Sequence, residues 1–125
     1  MTSGRRVLPG AEVLLVGLFS AKDTEMDTKL DLLAAVVEAY GARVVGRLVQ
    51  RRGVSHGGAD KMAALFSRRT LVSAGKAREV ADACRARQVR VVVFANPLTE
   101  HQRDVLGEMF GCTVISGEDL STRAG

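Results

Sequence analysis

The residues best placed to do chemistry sit in the decapeptide 71–80, LVSAGKAREV. An apolar run meets Gly75-Lys76, and a helical pattern follows. Free backbone N–H groups at a helix start, beside a lysine, suit an anion. A P-loop requires G-x-x-x-x-G-K-[ST]: the first glycine lets the backbone wrap the phosphates, and the closing hydroxyl holds Mg²⁺. Here the first glycine position is Thr70 and the residue after the lysine is Ala77. Walker-type nucleotide hydrolysis is therefore not expected. Gly75 and Lys76 stand as a candidate anion site, weighed against a simpler reading in which Gly75 relieves crowding where strand meets helix. Asp104-Val105-Leu106-Gly107 fits D-x-x-G, but it falls within a helical pattern and could not move as a switch loop.

Other reactive side chains assemble no catalytic set. His56 lies in a glycine-rich stretch, RRGVSHGG, with no nucleophile at a matching spacing. His101 follows Glu100 at a helix start, where a solvated role suffices. Asp23, Glu25, Asp27 and Asp31 cluster at another helix start; they could bind a cation, but complementing the helix dipole explains them. Cys84 and Cys112 lack a paired metal-type spacing, and neither is expected to have a nearby Cys or His that would make it a plausible nucleophile or ligand. They read as buried, reduced thiols of a cytoplasmic protein. The expectation is no catalytic residue, no metal and no cofactor.

The elements that must position these residues alternate. Val13–Phe19, VLLVGLF, is a continuous apolar run, as in a strand covered on both faces. Met26, Leu30, Leu33, Val37 and Tyr40 recur at helical spacing, and Gly41 is a stop signal. Arg43–Gln50 reads as a second strand, 59–66 as a short helix and 70–73 as a weak strand. Gly75–Gln88 reads as a helix with Ala77, Val80, Ala81 and Cys84 inward. Val89–Ala95 is the clearest buried strand. Thr99, with Gln102 three residues on, forms a capping box for a helix ending at Gly111. Leu98, Val105, Leu106, Met109 and Phe110 supply that helix's apolar side. Thr113–Ser116 is a last strand, followed by a polar tail.

This order predicts an α/β fold: three layers, a mostly parallel four- to five-stranded sheet, helices on both faces and right-handed crossovers. The 125 residues suit one domain, with its core at about 12–116 and frayed ends at 1–9 and 117–125. No apolar run approaches the ~18 residues of a membrane span. Arg5 and Arg6 precede an apolar run, but Pro9 and Glu12 favour a first core strand over a signal peptide. Ligand sites in such sheets lie at the strands' carboxyl ends, here near residues 20–24, 50–52, 73–76 and 95–98.

Charge is unevenly spread. Residues 43–90 hold twelve Lys/Arg against three Asp/Glu, a balance of +9, while the remainder carries −5. Such asymmetry draws polyanions to one part of a surface, or simply solvates it. The candidate phosphate-binding residues are Arg47, Arg51, Arg52, Lys61, Arg68, Arg69, Lys76 and Arg78; each can pair with phosphate, the arginines bidentately. Phe66 is the one aromatic in the segment, so recognition would rest on charge and shape.

Three stretches, VGRLVQRR (45–52), SAGKAREV (73–80) and RVVVFANPLTEHQRDVLGEMFGCTVIS (90–116), together resemble the amino-terminal domain of the HflX GTPases. Gln50-Arg51 match that family's Q-R element, and Gly75-Lys76 its G-S-G-K helix start. Leu98, Thr99, Gln102 and Leu106 match its L-[ST]-x-x-Q-x-x-x-L helix, and Val114-Ile115 its last strand. Ser73 replaces the first glycine of G-S-G-K, Ala95-Asn96-Pro97 replaces an acidic pair, and Ser116-Gly117 stands where the family has an aspartate. In the family, this domain precedes a helical subdomain and the GTPase domain, and members bind the large ribosomal subunit. The resemblance implies a non-catalytic module that associates with the large ribosomal subunit or RNA. The alternatives are a protein-interaction, homodimerising or regulatory module, and a binder of a nucleotide or another phosphorylated small molecule. A membrane partner is not expected.

Overall fold

A computed structural model describes residues 8–20, 22–52 and 74–121. Its elements follow the order β1 (Glu12–Ser20), α1 (Met26–Ala39), β2 (Arg43–Arg52), α2 (Ala74–Arg87), β3 (Val91–Phe94), α3 (Glu100–Phe110), β4 (Thr113–Ser116) and α4 (Gly117–Ser121). The four strands form one all-parallel sheet in the order β2-β1-β3-β4. The expected helix at 59–66 and strand at 70–73 lie outside the described residues.

Every residue from Val13 to Phe19 is buried, because β1 is central and carries helices on both faces. Alternate residues feed two cores. Leu14, Val16 and Leu18 join Val92, Phe94 and Val114 beneath α2 and α3, where Ala77, Val80, Leu106 and Phe110 pack. Val13 and Leu15 join Val91, Val93 and Ile115 beneath α1 and α4, where Ala34, Val37 and Leu120 pack. The result is three layers, as the alternation of elements predicts. Fully burying a Val, Leu or Phe side chain contributes roughly 1.5–3 kcal/mol, so these two aliphatic clusters carry the fold. None of the helices among the described residues is long and apolar enough to cross a membrane.

Helix ends follow local chemistry. Gly41 adopts φ +93°, and its N–H and that of Ala42 donate back to Glu38 and Val37, closing α1 in a Schellman motif. The Thr99 hydroxyl accepts from the Gln102 N–H at 3.0 Å while the Thr99 N–H donates to the Gln102 side chain at 2.9 Å, which is the predicted capping box. Gly111, at φ +72°, ends α3. On the edge strand, Val13 pairs with Val44 but Leu14 with Gly46, so Val45 is an extra, bulged residue. The Arg87 guanidinium from the end of α2 donates to the Val45 carbonyl, on the strand that is outermost among the described residues.

Three expectations need correction. The polar tail does not fray at 117: residues 117–121 form α4 because Leu120 enters the α1-side core at 3% exposure, and the Tyr40 hydroxyl donates to its carbonyl at 3.4 Å. At the other end Leu8 is fully buried, so packing reaches below residue 9. Met109, expected on the apolar side of α3, is largely exposed, since Leu106 and Phe110 already occupy the buried stripe.

Candidate functional site

The carboxyl edge of the sheet is assembled from the ends of the strands and the starts of the helices. Chain direction reverses across the sheet between β1 and β3: from β1 the path goes outward to β2, then returns past β1 to β3. Doubly wound sheets open a ligand crevice at such a point. Here it is closed. The Ala95 N–H donates to the Val16 carbonyl at 2.8 Å, the last backbone rung. The Asn96 side chain then supplies the next one, accepting from the Leu18 N–H at 2.8 Å and donating to the Leu18 carbonyl at 3.0 Å. The uncharged amide offers both the donor and the acceptor for this pairing, whereas an ionised carboxylate offers acceptors alone. The Phe19 ring also crowds the spot: a methyl on Gly17 would sit 2.6 Å from the Phe19 Cε2 and 3.2 Å from the Ala95 Cβ. In the sequence, Asn96-Pro97 is only a strand breaker; its bonding role joins residues 78 apart and carries no local signal.

Four of the eight basic candidates occupy this same edge, on its β2 side. Arg51 and Arg52 are the last two residues of β2. Lys76 and Arg78 lie in the opening turns of α2. The end of α2 is anchored at the opposite, amino edge, where the Arg90 N–H donates to the Glu12 carbonyl. Its fourteen residues span about 20 Å at 1.5 Å per residue, which carries its start to the carboxyl edge. The structure thus brings Arg51, Arg52, Lys76 and Arg78 to one edge. Arg47 stands further back on β2, on the α1 side, where it pairs with Asp31 at 2.7 Å. Lys61, Arg68 and Arg69 lie outside the described residues, as does His56.

Pairing tempers some of these charges. Lys76 sits 2.9 Å from Glu79, so the candidate anion site of Gly75 and Lys76 has a carboxylate one turn away. The Arg51 guanidinium donates to the Ser20 carbonyl at 3.3 Å and remains exposed. Arg78 is exposed as well. Among the described residues nothing lies within 4 Å of where a Gly75 Cβ would stand, and the strand expected just before it lies outside them.

The acidic cluster is spent on helix entry and cation pairing. The Asp23 carboxylate accepts from the Glu25 N–H at 2.8 Å and from the Lys29 ammonium at 2.9 Å. The Lys29 hydrogen bond, then the Glu25 N–H, hold the Asp23 carboxyl below its ordinary range, and Asp23 in turn pushes the Lys29 ammonium up. Lys29 also stands 5.9 Å from the Phe19 ring centre, which fixes the ring that fills the strand boundary. Beside Phe19 a groove of about 400 Å³ runs along α1, lined by Leu32, Leu33, Val36, Ala95 and Pro97. Leu32 is 63% exposed there. His101 is exposed at the start of α3.

One expectation fails outright. Cys84 and Cys112 have a cysteine neighbour after all: each other, with sulfurs 3.6 Å apart. The turn after α3 brings Cys112 onto the inner face of α2, a contact across 28 residues that spacing alone does not reveal.

An all-parallel α/β domain with a stitched strand boundary and a basic strand-end edge is the class these features define. A family model described as GTP-binding GTPase N-terminal matches residues 27–120. The chain belongs to that family: it is an HflX-type GTPase amino-terminal domain. The match runs from Asp27 in the first turn of α1 to Leu120, the buried anchor of α4. No curated protein matches the chain.

Proposed function

We propose that this domain is a non-catalytic, cytoplasmic module that associates with RNA of the large ribosomal subunit through the β2–α2 part of its carboxyl edge. The observation that carries the reading is the placement of Arg51, Arg52, Lys76 and Arg78 at one edge, at the two ends of a connection whose sequence adds Lys61, Arg68 and Arg69. Exposed ion pairs such as Arg47–Asp31 hold with roughly 0–1 kcal/mol, so they exchange readily for phosphate. Such binding is charge-driven and falls steeply as salt rises. Co-sedimentation with ribosomes at low salt tests it: enrichment over an acidic control protein of similar size supports the reading, and enrichment equal to the control overturns it.

A second reading, a protein-interaction or homodimerising module, draws on Leu32 and Val36, which stand exposed on α1 beside the apolar groove. Light scattering that shows a strict monomer, unchanged by Leu32→Ser, removes a dimer. Binding of a nucleotide or another phosphorylated small molecule at Gly75 and Lys76 is the least supported reading, because Thr70 and Ala77 replace the glycine and hydroxyl that a phosphate loop uses.

A further inference from the structure

At the amino edge of the sheet, opposite the basic edge, lies a second opening. It is a cleft of about 640 Å³ lined by Pro9, Val89, Arg90, Gly107, Gly111 and Thr113, with Cys112 in its wall. Cys112 is half-buried and Cys84 lies behind it, buried on the inner face of α2. While both are thiols, the Cys112 S–H donates to the Cys84 sulfur at 3.6 Å.

We propose that Cys84 and Cys112 form a peroxide-responsive dithiol that closes to an intramolecular disulfide, joining α2 to the turn between α3 and β4. Three features converge on this. The sulfurs already touch, and must approach by only about 1.5 Å to reach the ~2.05 Å of a disulfide. Cys112 sits in a turn just after the left-handed Gly111, outside the helical hydrogen-bond ladder, so it is the partner that can shift. Access is graded: Cys112 is half-buried and lines the cleft, whereas Cys84, among the described residues, is buried in the core behind it.

The order of events follows from these surroundings. The first proton leaves Cys112, because the neighbouring Cys84 thiol then donates to the resulting thiolate and lowers the Cys112 pKa. That same interaction, with burial, pushes the Cys84 thiol up. The Cys112 thiolate attacks one oxygen of hydrogen peroxide; the O–O bond breaks, hydroxide leaves, and Cys112 becomes a sulfenic acid. Cys84, losing its proton to that hydroxide, attacks the Cys112 sulfur. The S–O bond breaks and a second hydroxide leaves, taking up the remaining proton. In balance, two thiols and one peroxide give one disulfide and two waters. Reduction by a thiol reverses the change.

The test treats the full chain with hydrogen peroxide and follows intact mass, alkylation of free thiols after denaturation, and peptide mapping. The expected result is loss of two hydrogens, protection of both sulfurs and a linked peptide joining Cys84 to Cys112 within one copy, all reversed by dithiothreitol. Cys84→Ser stops at a sulfenic acid on Cys112 that a cyclic dione captures. Cys112→Ser leaves Cys84 alkylatable and slows thiol loss about tenfold or more. The unsubstituted chain decides the matter even if either variant fails to fold. Retention of both free thiols, oxidation of Cys112 to sulfinic acid without a linked peptide, or links only between copies would overturn the proposal.

Discussion

The β1–β3 boundary and the β2–α2 boundary share the carboxyl edge of the sheet, yet the first is closed by its own side chains and the second carries basic ones. At the first, Asn96 extends the strand ladder with its side chain and Phe19 fills the space above Gly17. At the second, Gly75 has empty space beside it among the described residues, and Arg51 and Arg78 face solvent. The general rule for doubly wound sheets places the ligand at the first boundary. This chain has used that place for stability, and its charge lies one strand further out. Topology therefore names the edge, while the side chains decide which part of it is available.

The largest effect expected from disturbing this contrast is at Asn96. Replacing it with Ala leaves the Leu18 N–H and carbonyl unpaired, a loss of about 1–3 kcal/mol in denaturant unfolding. Asn96→Asp is the sharper variant. Its ionised carboxylate faces the Leu18 carbonyl and is destabilising at neutral pH, and the penalty shrinks below about pH 4, where the protonated acid again donates. Equal stability of Asn96→Asp at both pH values would mean that the stitch does not close the boundary.

A smaller effect of opposite sign is expected at the β2–α2 boundary. Gly75→Ala meets no neighbour among the described residues and removes helix-disfavouring freedom, so it stabilises by about 0.5 kcal/mol. Unchanged RNA binding in that variant would show that the glycine itself serves no phosphate cradle. Smaller still is the pH effect of Asp23, whose partner Lys29 stands in solvent. Its carboxyl is held low, so its contribution is present above the ordinary Asp pKa and fades as pH falls through the lowered value. Asp23→Asn removes that component of the acid-side stability profile, as thermal unfolding across the acid range would show. The raised Lys29 pKa acts at the other end: its contribution is complete below the ordinary Lys value and is lost as pH rises through the raised one.

Local chemistry made much of the fold readable before any coordinates. The seven-residue apolar run of β1, the Thr99–Gln102 box, and Gly41 and Gly111 as stops each state their role within a few residues. What escaped is non-local or breaks a preference. Gln88 takes a left-handed φ of 55° to end α2 where a glycine would normally mark the stop, because the Val89 N–H reaches back to the Cys84 carbonyl. α4 has one apolar anchor, Leu120, whose carbonyl meets a tyrosine 80 residues earlier. The Asn96 stitch and the Cys84–Cys112 contact likewise join distant parts of the chain. At the basic edge, residue types were legible as candidates, but their grouping needed the direction of α2.

The central claim is that Arg51 and Arg78 work together at the β2–α2 boundary, and the salt dependence of ribosomal-RNA binding tests it most directly. For the unsubstituted chain the account predicts affinity falling linearly with salt on logarithmic axes. For the Arg51→Ala/Arg78→Ala double variant it predicts weaker binding and a slope shallower by about one to two. Identical slopes and affinities for the two proteins would contradict it.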